Sequence, residues 1–566
     1  MTSPLAFTPG TEYSPSDEAV GHSPGSLLEP RLQLKHLDHE IAKLTEQRNK
    51  IALSIFPFRL LHRDVIQEIF IACLPADQNC AMSASEAPVL LGRVCSSWRT
   101  ISLSTPRLWT QLHIVEPTRQ LKVGPGPQKS LSIILQAKVE QRLQVIKTWL
   151  GRSGECPLSI SFQGNQQSHR YLRFAEQSPE VNGTVRFLEA ILPFAPRWQR
   201  ISFTSELTPA MLQMLSKLTE TDLPMLQGLS FCGVRLEHGE MSTFQWGQLR
   251  MIGAPCLTRF SLRNSKFVPD KLPVRWEQLT YLALGSTQSL PSDAILRTIS
   301  KCPRLLSCHL TVNANAVAQT SVTQPAITIP SLQVFTLRFD HNASAINLLD
   351  HLTFPHLRSL SIFGSGEPIQ QQSIQRFFAV STQLERLHIH NQPFSSSSLC
   401  RILRSLPPTV QHLEFEDTAL AQIFLLLETV PSLNEDVLAA LLPDPASPYP
   451  CPALRTLIMD PCSISDEAVL HFLRARMAVE PRPSLKSVHI GFNRPPEADL
   501  RPQLQALIDA GLDLSITYLP PVSFSPWLGL PSDTQRLFNP TVKTFAAISP
   551  PPTSALSTYL EQLGRV

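Results

Sequence analysis

The sequence has no C-x-x-C pair and no cluster of cysteines, although 11 are spread from Cys73 to Cys462. An odd number at wide spacing argues against a disulfide scaffold and against a structural zinc site, both of which need close pairs. Reduced thiols suit a cytoplasmic or nuclear protein. Long apolar runs are missing too. Those present, such as Ile423 to Leu427, fall far short of the roughly 20 residues that cross a bilayer. No membrane association is expected, and MTSPLAFTPGTEYSPSDEAVG at the start does not read as a signal peptide. Charge of one sign is lacking: 49 Lys and Arg stand against 46 Asp and Glu. So small a surplus argues against a dedicated nucleic-acid binder. Glycine is scarce at 22, and no P-loop, G-x-S-x-G, H-E-x-x-H, G-x-G-x-x-G or kinase motif occurs. Neither an enzyme nor a cofactor is expected.

What is there suffices to fold, with 43% hydrophobic and 17% charged residues. At 566 residues the chain exceeds one compact core, so several domains or a repeat array are expected. Proline is over-used, at 50 residues nearly twice its average share of about 5%.

Residues 1–26 read as a disordered tail. Over 27–56 an amphipathic helix is expected, because Leu34, Leu37, Ile41, Leu44, Ile51 and Ile55 keep a heptad seam with Arg48 in its one polar slot. Such a helix either lies on the next domain or self-associates. His36, His39 and Glu40 on it are read as solvated residues, not as metal ligands.

Next come two or three short helices. LHRDVIQEIFIACL (61–74) carries Leu61, Val65, Ile66, Ile69, Phe70 and Leu74 on one face. The stretch from Pro88 carries Leu90, Leu91, Val94, Cys95, Trp98 and Ile101 on a second. Apolar faces too large to cover one another point to a partner.

These residues resemble the F-box in the version found in a large set of fungal proteins. The match rests on Pro57-Phe58-Arg59-Leu60-Leu61, Asp64-Val65-Ile66-Gln67-Glu68-Ile69-Phe70 and Cys73-Leu74-Pro75. It continues through Ala87-Pro88, Leu90-Leu91, Val94-Cys95, Trp98-Arg99, Ile101 and Leu103-Ser104-Thr105-Pro106-Arg107-Leu108-Trp109. WLGRSGECPLSISF (149–162) is similar to the stretch that follows, so the resemblance covers roughly 30–205. One departure is His62-Arg63 where the family has Pro-Pro. The resemblance implies that 57–112 docks on the Skp-family adaptor, and through it a cullin, of an SCF-type ubiquitin ligase. The contacts it implies are Leu61, Val65, Ile66, Ile69, Phe70, Leu74, Pro88, Leu91, Val94 and Trp98. A degenerate F-box in a non-ligase scaffold is the alternative.

After a linker at 113–130, a phrase L-x-x-L-x-L recurs. Its anchors are Leu226, Leu257, Leu279, Leu305, Leu332, Leu357, Leu384, Val410, Leu454 and Leu485. Six of the nine gaps between them span 22 to 27 residues, inside the leucine-rich-repeat range of about 20–29. The gap of 44 after Val410 reads as an insertion or a degenerate repeat, holding helical phrases at Leu420 to Val430 and at NEDVLAALL. Helical segments such as SDAILRTIS and DEAVLHFLRA lie between phrases. The fold class is α/β: an N-terminal helix and a small all-α F-box, then an irregular leucine-rich-repeat solenoid over 131–515. Residues 516–566 read as a cap and tail. Proline is expected at the start of each strand, where a lost N–H costs little.

Alternation puts the residues that flank the later leucines on a concave, solvated face. Arg259, Arg263, His309, Arg338, Arg386, His388, His390, Glu414 and Glu416 are the candidate target-binding residues. His388 is expected beside Glu414 and His390 beside Glu416. Arg338, Arg386 and His388 are read as a cationic patch. No metal site is expected, and the target is an unidentified protein.

Overall fold

The structure, a computed structural model, describes residues 28–55, 61–117, 128–164, 183–204, 209–232, 246–265, 267–286, 292–312, 326–339, 346–364, 371–390, 394–416, 433–442, 450–462, 464–478, 485–492, 494, 496–497 and 500–518. The expected tail at 1–26, the helical phrase Leu420 to Val430 and most of the C-terminal cap lie outside these residues. The chain forms two compact units, Met1–Ala72 and Cys73–Val566.

The first unit holds helix α1 (Leu28–Ile55) and helix α2 (Arg63–Ala72). Along the heptad seam of α1, Leu34, Leu37, Ile41, Leu44 and Ile51 are all exposed. On α2, Ile66 and Phe70 are buried while Val65 and Ile69 are exposed. Where the resembled family has prolines, Nδ1 of His62 stands 3.4 Å from the amide nitrogen of Asp64, at one of the helix's free N–H groups.

The second unit opens with helices α3 (Leu91–Val94) and α4 (Ser96–Leu103). They are separated at Cys95, whose extended backbone lets its sulfur accept from the Trp98 amide at 3.5 Å. Then the sheet begins. Strands β1 (Gln111–Val115), β2 (Leu158–Gln163), β3 (Trp198–Thr204), β4 (Gly228–Cys232), β5 (Arg259–Ser265), β6 (Tyr281–Ser286) and β7 (Ser307–Val312) pair in chain order, all parallel. A separate two-stranded pair is formed by β8 (Ile327–Thr328) and β10 (Leu352–Thr353). The main sheet continues through β9 (Val334–Phe339), β11 (Ser359–Gly364), β12 (Arg386–His390) and β13 (His412–Glu416). It ends with β14 (Thr456–Cys462), β15 (Ser487–Phe492) and β16 (Asp513–Tyr518), making 14 strands. Because β14 pairs directly with β13, the 44-residue gap adds no strand to the sheet. It is an insertion.

The connections carry helices α5 (Gln128–Arg152), α6 (Gly183–Ile191), α7 (Pro209–Leu215), α8 (Ser292–Ser300) and α9 (Ile346–Asp350). They continue with α10 (Gln371–Val380), α11 (Ser396–Arg404), α12 (Glu435–Ala439), α13 (Asp466–Met477) and α14 (Arg501–Asp509). Ser395 and Ser465 cap α11 and α13 by accepting from Ser398 and Ala468 amides. Between β4 and β6 the described residues of the connections form short 3-10 turns. The 22-residue gap from Leu257 to Leu279, the anchors of β5 and β6, is the shortest of the series.

Every phrase anchor from Leu226 to Leu485 is buried. Each of Leu226, Leu257, Leu305, Leu332, Leu357 and Leu454 donates its N–H to the carbonyl three residues back. Pro224, Pro255, Pro303, Pro330, Pro355 and Pro452 occupy the second place of these turns. That is where a fixed φ near −65° favours a β-turn. The excess proline therefore sets the turn before the strand instead of starting the strand itself.

The sheet starts earlier than expected, at Gln111 and not after 131. Trp109 is the anchor of its first phrase, three residues before buried Leu112 and five before buried Ile114. Its ring packs edge-on against Trp149 of α5 at 4.8 Å, and its Nε1 donates to the Ser102 carbonyl at 2.9 Å. At the free edge of β1, the His113 amide donates to the Cys80 carbonyl at 2.9 Å, and Ala81 bridges to His113. Cys80 and Ala81 thus pair with part of an edge that would otherwise present unpaired backbone groups.

Candidate functional site

One face of the sheet packs under the helices and the other is open. Strands β7 and β13 show the alternation, with Cys308, Leu310, Leu413 and Phe415 buried and their neighbours only half-buried. Parallel register then aligns the residues of this second face in rows, in which Ser230, Ser261, Ala283 and Thr336 are buried by their neighbours. The central row runs Ser161, Ser202, Ser230, Ser261, Ala283, His309, Thr336, Ser361, His388, Glu414, Ile458 and His489.

The early strands are cationic. Gly228 leaves room for Arg200, since a Cβ there would lie 3.1 Å from the arginine Cγ. The Arg259 guanidinium lies over the Tyr281 ring at 4.5 Å, and Tyr281 stands 5.3 Å from the His309 ring. Burial, helped by Arg263 and Arg259, pushes the His309 imidazole down to about 3. It is therefore neutral at physiological pH.

The late strands are anionic. His388 sits between two carboxylates of β13, with Nδ1 3.6 Å from Glu414 and Nε2 3.4 Å from Glu416. Its other side meets Phe363 edge-on at 4.6 Å, and Arg338 lies 5.6 Å from the Phe363 ring. The His388 side chain beside it holds the Glu416 carboxyl below its ordinary range. Burial raises Glu414 and Asp460. Asp460 lies 4.0 Å from His489 and directly over Gly491, where a Cβ would collide with its carboxylate.

Strand register aligns His388 with Glu414 and His390 with Glu416, as the phrase spacing predicts. Three expectations change. His390 is buried, with Nδ1 3.2 Å from the Gly364 carbonyl, so it supports the face instead of presenting a contact. Arg338 and Arg386 do not form one patch with His388. They stand in opposite outer rows, while His388 is enclosed by carboxylates. Arg200 and His489 belong to the face and are absent from the sequence-based set. Trp198 in place of leucine hides the β3 phrase that carries Arg200. His489 lies in a phrase whose flanking positions could have been read in the same way.

The expected adaptor contacts divide by exposure. Leu61, Val65, Ile69 and Val94 are exposed, Leu74 and Trp98 are half-buried, and Ile66, Phe70, Pro88 and Leu91 are buried. The last four are closed to direct contact; Ile66, Phe70 and Leu91 are the inward-facing residues of their helices and Pro88 lies in the turn before Leu91. Leu90 and Leu103, outside the expected set, are exposed at 43% and 42%. Among the described residues no group of three or more His, Cys, Asp or Glu is placed to hold a metal ion. No helix among them is long and apolar enough to cross a membrane.

No family model matches the chain, and no curated protein matches it significantly. Among solved structures it is similar to the TLR13–ssRNA13 complex, with TM-score 0.32 and 14% identity over 65% of this chain and 48% of that one. It therefore spans about half that chain's length. It is also similar to the leucine-rich repeat-containing protein LegL7 from Legionella pneumophila, with TM-score 0.29 and 14% identity over 59% of this chain and 96% of that one. Both likenesses are loose. The class of protein is defined by the chain's own strand order and repeat spacing: an irregular leucine-rich-repeat-like α/β solenoid.

Proposed function

We propose that this chain is a protein-interaction subunit with two separate surfaces. An F-box-like segment receives a Skp-family adaptor of an SCF-type ubiquitin ligase, and the open face of the sheet receives a target protein. No residue carries chemistry in this reading. The effect is proximity, raising the local concentration of target near the ubiquitin-conjugating enzyme. Its domains are the helix at 27–56, the F-box-like segment from 57 and the solenoid up to about 515. The last F-box residues double as the first phrase of the sheet.

The observation that carries the proposal is the exposure of apolar side chains at positions the resemblance assigns to the adaptor. Val65, Ile69 and Val94 are 46%, 36% and 56% exposed. Water-facing side chains of this size are available for burial by a partner, and burying the exposed half of each contributes about 1 kcal/mol. Co-expression of the full chain with a Skp-family adaptor tests it. A stoichiometric complex is expected, and a chain that elutes free of adaptor rejects it. The second reading, a scaffold that does not engage the adaptor, is favoured by His62-Arg63 in place of the family's prolines.

A further inference from the structure

The seam of α1 has the width, the polarity and the symmetry to pair with itself. Leu34, Leu37, Ile41, Leu44 and Ile51 are each between 55% and 62% exposed. Burying such a side chain removes on the order of 100 Å2 of apolar surface from water. Five of them on two helices remove about 1,000 Å2, the size at which a contact becomes specific. The seam therefore holds enough apolar area for a dimer, with little to spare. Polar residues in and beside it must then decide orientation.

Those residues are Arg48, Asp38 and Glu40, all exposed. In heptad terms Arg48 takes a seam position, while Asp38 and Glu40 flank Leu37 on its two sides. A parallel pair in register would stack Arg48 on the Arg48 of its copy, two like charges in a closing apolar seam. An antiparallel pair centred between Ile41 and Leu44 avoids this. It layers Leu34 on Ile51, Ile41 on Leu44 and Leu37 on Arg48. Each guanidinium then lies beside the other copy's Asp38 and Glu40, with its aliphatic stem covering Leu37. The same contact occurs twice about a two-fold axis, which closes the assembly at two copies.

We infer that α1 is the dimerisation element of this protein and that it pairs antiparallel with α1 of a second copy. The inference does not depend on adaptor binding. Under the proposed function it would join two receptors, each with its own open face.

Sedimentation velocity of the full chain tests it. A dimer is expected at micromolar concentration. Leu37→Glu with Leu44→Glu should give a monomer of unchanged circular dichroism, since both side chains are exposed. Arg48→Glu, placed against Asp38 and Glu40, should raise the dimer dissociation constant by at least about tenfold. Adding Asp38→Arg and Glu40→Arg to Arg48→Glu should restore it. A parallel pair would gain nothing from the triple change, because the two substituted carboxylates in the seam would still face each other. A monomeric wild-type chain, whether or not the seam then captures some other helix, overturns the inference. So does a dimer indifferent to the seam variants, or a triple variant no tighter than Arg48→Glu.

Discussion

The Nε2 of His388 lies 3.4 Å from the Glu416 carboxylate on the neighbouring strand, while Nδ1 faces Glu414 at 3.6 Å. One imidazole thus bridges two carboxylates that are two residues apart on β13 and would otherwise repel one another. The two acids respond in opposite directions. Glu416 is held low by the neighbouring His388 side chain, and Glu414 is raised by burial.

Opposite shifts give opposite pH dependence. The depressed Glu416 contributes stability that is present above its unfolded value and lost as pH falls through its folded one. Glu416→Gln should therefore cost about 1 kcal/mol at neutral pH, and the cost should vanish in acid. The raised Glu414 binds its proton more tightly when folded, so its charge costs stability above its folded value. Glu414→Gln should be neutral or stabilising at pH 7, with the gain fading in acid. Urea melts of both variants between pH 3 and 8 check the two signs.

The Trp109–Trp149 contact predicts that residues 80–109 and the first repeats melt together. Trp109→Ala removes a buried ring and its hydrogen bond to Ser102, at a cost of about 3–5 kcal/mol locally. In a solenoid each repeat leans only on its neighbours. Hydrogen exchange should therefore lose protection in β1 and β2 and keep it in β13 to β15. Uniform loss along the sheet would contradict this.

Much of the sheet was legible because its phrase is a physical unit, a turn, a buried anchor and two buried strand residues. The strands the phrase missed each depart from it in one way. Trp198 is the anchor of β3. Leu158 leads β2 across an irregularity in register. Gly511-Leu512 shifts the start of β16. In β1 the phrase is hidden inside TPRLWTQLHI, which also ends the stretch read from sequence as resembling the F-box. The break at Cys95 could not be read, since cysteine is not a favoured cap. On the open face, alternation identified which residues point outward, but not which of them are enclosed. His390 is buried by the Gly364 backbone, a neighbour that spacing does not reveal.

Gly491 predicts a local coupling. Its hydrogen leaves the space that the Asp460 carboxylate occupies, so Gly491→Ala must push Asp460 off His489. A cost of about 1–2 kcal/mol is expected. In an Asp460→Ala background most of it should disappear, and a double-mutant cycle measures this.

Thiol chemistry should follow burial. Cys73, Cys95 and Cys256 are exposed. Burial pushes Cys80 and Cys302 up to about 12, and Cys451 and Cys462 up to about 11. Brief iodoacetamide labelling of the native chain, read by mass spectrometry, should modify the first three and spare the other four, because only the thiolate reacts.

The central claim is that two surfaces act independently. Quantitative affinity purification of three forms of the full chain tests it most directly: wild type, Ile69→Asp with Val94→Asp, and Arg338→Glu with Arg386→Glu. All four side chains are exposed, so folding should survive. The account predicts that the first variant loses the Skp-family adaptor and cullin and keeps the remaining partners. The second should keep the adaptor and lose partners that the first retains. Identical partner sets for all three forms, or loss of both classes together in a folded variant, would contradict it.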